Sequence, residues 1–280
     1  MSEDSQKAMP AVPNFIYGTA WKEERTEELT QLALESGFLA IDTANQRKHY
    51  HEAGVGKGLQ NFLQKAPLER DSLFLQTKFT YTMGQDHRLP YEANASFRDQ
   101  LIQSFESSLE HLGVDYLDSY LLHGPSHRSG ISEQDWEVWQ AMEELQRTQR
   151  VRWVGISNVS LEQLQVLWQR ASIKPSFVQN RCFASLGWDA EVRGFCQDVG
   201  ILYQGFSLLT ANLRELSQPS VLEIAKRHQR TLPQIVFRFS QQVGMIPLTG
   251  TTQAKHMEED LNLEGFELSS EEIDSLLSIG

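Results

Sequence analysis

The chain has 280 residues, 40% of them hydrophobic and 22% charged, which gives enough apolar surface for one large core and excludes a disordered chain. Its formal net charge of −12 excludes nucleic acid and anionic membrane as partners, since both are held by clustered Lys and Arg. Cys182 and Cys196 have neither metal-finger spacing nor the density of a secreted scaffold, and no run approaches the roughly eighteen apolar residues of a membrane span. A reducing, cytoplasmic setting is expected by default.

Residues 1–12 read as a polar, flexible segment, and 13–280 as one domain. The first apolar run, Phe15 to Thr19, predicts a strand, and Thr26 to Ser36 a helix. Further strands are predicted at Phe38 to Asp42, Ser72 to Lys78, Ser119 to His123, Val151 to Ile156, Phe177 to Gln179, Ile201 to Phe206 and Met245 to Leu248. Between them, helical periodicity marks Ala53 to Gln64, Ala93 to His111, Glu133 to Gln146, Leu161 to Arg170, Ala190 to Asp198 and Val221 to Gln241, the last broken near Pro233. A helix at Gln253 to Leu261 and another at Ser270 to Ser278 close the chain. Eight strand-and-helix alternations without a linker predict an α/β fold, a single-domain (β/α)₈ TIM barrel.

In such a barrel the catalytic groups sit at the carboxyl ends of the strands. Three of the predicted strands end on proton-handling residues, Asp42, Lys78 and His123, and Tyr50 lies in the loop after the first of these. An acid, an amine, an imidazole and a phenol would share one mouth. Asp42 and Lys78 are expected to pair, and an ammonium beside a phenol lowers the phenol's pKa by stabilising the phenolate. His49-Tyr-His51 also suggests a metal pair, but a hydrolase-type site needs further His or Asp ligands at other strand ends, and the eighth strand ends in Pro247-Leu-Thr-Gly. No metal is expected. Trp136, Trp139 and Trp168 read as packing, and Trp21 as a lining residue of the mouth.

The motifs Ile41-Asp-Thr-Ala44, Gln76-Thr-Lys78, Leu121-Leu-His-Gly-Pro125, Val154-Gly-Ile-Ser-Asn158, Gln179 and Gly205-Phe-Ser207 occur in order, each at a strand end. On them the sequence resembles the aldo-keto reductase family, from Tyr17-Gly-Thr-Ala20 to the final helix. The resemblance implies an NAD(P)H-dependent reduction of small aldehydes or ketones. Tyr50 would be the general acid, Lys78 would lower its pKa, Asp42 would anchor Lys78, and His123 would orient the carbonyl. It also implies that Ser157, Asn158 and Gln179 hold the nicotinamide carboxamide, that Phe206 stacks on its ring, and that Asp42, Ser207 and Leu209 contact the cofactor.

Two departures stand out. The family's tyrosine usually lies five residues after the aspartate, where this chain has Arg47; a short insertion makes Tyr50 the expected donor, with His49 beside it. The Lys and Arg that often grip the 2′-phosphate of NADPH are also missing. Gly250, Thr251, Thr252 and His256 stand there, with Lys255 nearby, and a helix N-terminus with hydroxyls could hold the phosphate instead. NADPH is the expected cofactor and NADH is possible. A cofactor-binding regulatory or interaction protein on the same fold is the alternative. Neither oligomeric state nor physiological substrate is legible.

Overall fold

Short runs of β-branched and aromatic residues bounded by turns favour strands, and each is here buried on both faces, the condition for a parallel sheet wrapped in helices. The computed structural model describes residues 12–66 and 68–280; the expected flexible segment lies, through residue 11, outside the described residues. Eight strands, β1 (Ile16–Gly18), β2 (Ala40–Asp42), β3 (Phe74–Phe79), β4 (Leu117–Leu122), β5 (Val151–Ser157), β6 (Phe177–Arg181), β7 (Leu202–Phe206) and β8 (Met245–Thr249), pair in chain order. All the pairings are parallel, and β1 pairs with β8 to close the barrel. Among the described residues no helix is long and apolar enough to cross a membrane.

The helices are α1 (Thr26–Glu35), α2 (Glu52–Leu63), α3 (Phe97–Leu112), α4 (Glu133–Arg147), α5 (Leu161–Arg170), α6 (Ala190–Val199), α7 (Leu213–Leu216), α8 (Pro219–His228), α9 (Leu232–Gln242), α10 (Ala254–Leu261) and α11 (Ser270–Leu277). Most element bounds lie within two residues of expectation, and one departs further for a local reason. Helix α3 begins at Phe97 rather than Ala93, because the Ser96 hydroxyl accepts from the Asp99 amide at 3.1 Å and caps it there. The helical stretch expected over Val221 to Gln241, broken near Pro233, is two helices, and the break falls just before the proline. Gln229 takes a left-handed φ of 53° and ends α8, Thr231 caps α9 through a capping box, and Pro233 lies in the new helix's first turn. The proline therefore opens a helix rather than breaking one.

The main core lies between barrel and helices, and it buries Trp136 and Trp139, with Trp168 packed against it. Inside the barrel the side chains stack in storeys. A lower plug is formed by Ile16, Ala40, Phe74, Leu121, Phe177 and Leu248. Strand alternation places the next inward residues one storey higher. There Asp42 is in register with Gln76, and Gln179 with Gln204. An apolar floor thus carries a polar ring, and the ring faces the carboxyl ends of the strands.

Candidate active site

The polar ring is densely hydrogen-bonded, as a buried network must be to limit its desolvation cost. Asp42 Oδ1 accepts from Gln76 Nε2 at 2.7 Å and from Gln179 Nε2 at 3.0 Å. Gln204 accepts from Gln76 at 2.8 Å and from Gln179 at 2.9 Å, and donates back to Gln76 Oε1 at 3.0 Å. Lys78, buried beside them, donates to Asp42 Oδ1 at 2.7 Å, Asp42 Oδ2 at 2.6 Å and Thr43 O at 2.7 Å. An ammonium has three protons, so all are engaged.

Above this ring opens a cavity of about 1270 Å³ lined by Asp42, Tyr50 and His123. The Tyr50 ring stands edge-on to His123 with centroids 6.0 Å apart, and Lys78 Nζ lies 5.4 Å from the Tyr50 centroid. The tetrad expected from the sequence is therefore brought together. His49 also lines the cavity, where it packs on Trp21 at a centroid distance of 4.0 Å with its Nδ1 2.8 Å from Gln46 Oε1. Trp21 is 67% exposed and lines the cavity rim. Of the two neighbours, it is Tyr50 that faces the ion pair.

The electrostatics differ from expectation in one respect. The Tyr50 phenol is pushed above its ordinary range by burial and by the Asp42 carboxylate. The Lys78 protons are directed at Asp42 and Thr43 rather than at the phenol. Burial pulls Lys78 itself downward, opposed by Asp42. His123 is held well below the usual imidazole range by burial, then by Lys78 and His49, so its ring is neutral near pH 7. Tyr50 and His123 thus carry no charge before a ligand arrives.

Ser157, Asn158, Gln179, Phe206, Ser207, Leu209, Gly250, Thr251 and His256 all line the same cavity. Asn158 and Ser207 adopt left-handed backbone conformations, with φ of 51° and 57°, uncommon for residues other than glycine. Asn158 Nδ2 donates to His123 O at 2.7 Å, and Ser157 Oγ to Gln179 O at 2.7 Å. With those donors engaged, Asn158 Oδ1 and Gln179 Oε1 are left to accept, which suits a carboxamide N–H₂. An accessible Phe206 ring and acceptors at two strand ends fit a nicotinamide, and the cavity is large for a small substrate alone.

One expected residue is not at the site. Thr252 is exposed and does not line the cavity. Helix α10 begins only at Ala254, with Gln253 at its N-cap, so Gly250-Thr-Thr252 precedes the helix terminus instead of forming it. Lys255 is also on the surface, 3.6 Å from Glu259.

Several lining or supporting residues were not expected. Lys22 donates to Gly250 O across the β1 and β8 ends, and burial with Arg25 lowers its pKa. Arg181 lies over Phe206 at 5.5 Å and over Phe183 at 6.0 Å. Gln76 and Gln204 complete the ring beneath. Their signal was parity, since each lies two residues before a recognised site residue, Lys78 or Phe206, on the same strand face.

The closed parallel barrel thus gathers an acid, an amine, an imidazole and a phenol at its carboxyl mouth. The sequence profile of the Aldo/keto reductase family matches residues 16–280, and the chain belongs to that family. It is 30% identical over 285 residues to the NAD/NADP-dependent indole-3-acetaldehyde reductase of Schizosaccharomyces pombe, covering 96% of this chain and 91% of that protein. It is 29% identical over 268 residues to the glyoxal reductase of Bacillus subtilis, covering 95% and 88%. Among solved structures, the aldose reductase of Schistosoma japonicum superposes with a TM-score of 0.82 at 26% identity, covering 96% of this chain and 89% of that one.

Proposed function

We propose that the protein reduces aldehydes or ketones to alcohols with a reduced nicotinamide nucleotide, Tyr50 acting as the general acid. The observation that carries this reading is the convergence of Tyr50 and His123, both uncharged, over the buried Lys78–Asp42 pair in one large cavity. The nicotinamide would supply the hydride. Phe206, Ser157, Asn158 and Gln179 would hold it, and Ser207, Leu209, Gly250, Thr251 and His256 would line the rest of the nucleotide's course.

The proton side follows from the residues themselves. A phenol with a raised pKa is fully protonated at neutral pH, so the acid form is always available. Negative charge developing on the carbonyl oxygen is a far stronger base than water, and it draws the Tyr50 proton. The phenolate left behind is stabilised by the Lys78 ammonium, held in place by Asp42, Gln76 and Gln179. His123 orients the oxygen. Names of relatives that include an aldehyde reductase and a glyoxal reductase support small carbonyl substrates. NADPH is the favoured cofactor, with NADH accepted. Two buried free thiols, Cys182 and Cys196, each pushed up to about 12 by burial, support a reducing compartment such as the cytoplasm.

The test is loss of reduced-nicotinamide absorbance with a panel of small aldehydes, ketones and dicarbonyls, using each cofactor. Turnover abolished in Tyr50→Phe is the expected result. Tight nucleotide binding with no oxidation by any carbonyl would favour a regulatory protein on the same fold.

A further inference from the structure

The ends of β3 and β4 are locked side by side: Lys78 is in register with Leu121 and Phe79 with Leu122, and the His123 amide donates to Phe79 O at 2.9 Å. The next residue of each chain is therefore a neighbour of the other. These are Thr80 and His123, and Thr80 Oγ1 lies 2.6 Å from His123 Nδ1.

Thr80 is fixed from three sides. It is buried, and its carbonyl accepts from Tyr91 Oη at 2.8 Å and from Gln85 Nε2 at 3.3 Å. Its methyl packs so closely on Gly84 that a Cβ there would come within 2.7 Å of Thr80 Cγ2. The hydroxyl has no other acceptor among the described residues.

We infer that Thr80 is a positioning residue, whose hydroxyl donates to Nδ1 of His123 and so fixes the neutral ring with its proton on Nε2, directed at the cavity. The alternative tautomer would donate from Nδ1 to Oγ1 and leave the hydroxyl proton, at the part-buried edge of the cavity, with no acceptor among the described residues. Leaving a buried donor unpaired is costly, whereas the first arrangement satisfies both groups. Nε2 makes no hydrogen bond among the described residues, and His123 lines the cavity. That nitrogen is then a donor only. It can hold a carbonyl oxygen beside Tyr50, but it cannot take a proton from the product alcohol. The statement about Nε2–H stands on the geometry, and its use on a carbonyl rests on the proposed reduction.

Nitrogen-15 NMR of the histidine rings separates the two. In the free protein near neutral pH, His123, assigned by its loss in His123→Gln, should show a protonated Nε2 and an unprotonated, hydrogen-bonded Nδ1. Thr80→Val keeps the shape but removes the hydroxyl, so the ring should become a mixture of tautomers; Thr80→Ser should restore the single form. In turnover, Thr80→Val should lower kcat/KM for a carbonyl by about tenfold, the scale of one hydrogen bond, with cofactor binding unchanged and recovery in Thr80→Ser. A wild-type ring protonated at Nδ1, or charged, overturns the inference even if Thr80→Val does not fold. So does an unaltered kcat/KM in a folded Thr80→Val enzyme. A wild type that shows the Nε2–H form but reduces no carbonyl supports the tautomer and overturns the reductase reading instead.

Discussion

Lys78 donates to both carboxylate oxygens of Asp42, at 2.7 and 2.6 Å, in a pair with neither side chain more than 4% exposed. Its third proton goes to Thr43 O. The ammonium is thus oriented by the floor of the site and acts on the cavity only through space. Removing one member of such a pair strands a buried charge. Lys78→Met and Asp42→Asn should each lose about 3–5 kcal/mol of stability, and the double variant much less than their sum. Urea denaturation of the four proteins checks this. Strict additivity would mean that the two groups do not form a unit.

Tyr50 is placed over that pair, and His49 against Trp21. Replacing Tyr50 by Phe keeps the ring and removes the transferable proton. The expected outcome is a kcat lower by roughly two to four orders of magnitude with nucleotide affinity retained. His49→Ala should reduce kcat far less, since His49 faces the rim. Steady-state kinetics on both variants decide the assignment, and equal losses would move the proton donor away from Tyr50.

The placement of these groups was largely legible because buried parallel strands end where polarity begins. Asp42, Lys78 and His123 interrupt apolar runs, and the barrel topology brings such interruptions to one end. Loop register was harder. Asp42 and the helix starting at Glu52 bracket a loop of uncertain register in the sequence, and only the folded loop shows His49 packing on Trp21 while Tyr50 faces the ion pair. Thr252 and Thr251 are chemically alike, and what separates them is which side of a turn faces the cavity. Pro233 read as a breaker because proline is hostile to helix interiors, while the left-handed Gln229 that ends α8 has no comparable signature. Thr80 was invisible for a different reason: its role depends on pairing two strand ends whose sequences are unrelated.

Asp260 offers a test by pH. It is buried at the cavity wall, accepts from Thr249 Oγ1 at 2.8 Å, and is pushed up from 3.8 to about 6, mainly by burial. The folded protein binds this proton more tightly than the unfolded chain. The stability it contributes is present in full below about pH 4 and is lost as pH rises through about 6. Asp260→Asn, which cannot ionise, should therefore gain on the wild type as pH rises across this window, by up to about 3 kcal/mol. Denaturation midpoints measured at both ends of the window provide the check. A difference that does not change with pH would mean that the carboxyl is not shifted.

His256 controls the last prediction, which concerns the choice of nucleotide. It is exposed, lines the cavity, and sets Nδ1 3.5 Å from Thr251 Oγ1. Of the lysines nearby, Lys255 is directed at Glu259 and Lys22 donates to Gly250 O, while Glu259 and Asp260 themselves line the cavity. A 2′-phosphate would meet an imidazole and two carboxyl groups, with no guanidinium to fork onto it, so the preference for NADPH over NADH should be modest. An arginine at this position supplies a fixed charge and a forked donor, which suits phosphate far better than imidazole. His256→Arg is expected to strengthen NADPH binding by about 1–2 kcal/mol and to leave NADH nearly unchanged. Fluorescence quenching titrations with both nucleotides measure this. An equal gain for NADH would show a general effect of added charge, and no gain for either would place the 2′-phosphate away from Thr251 and His256.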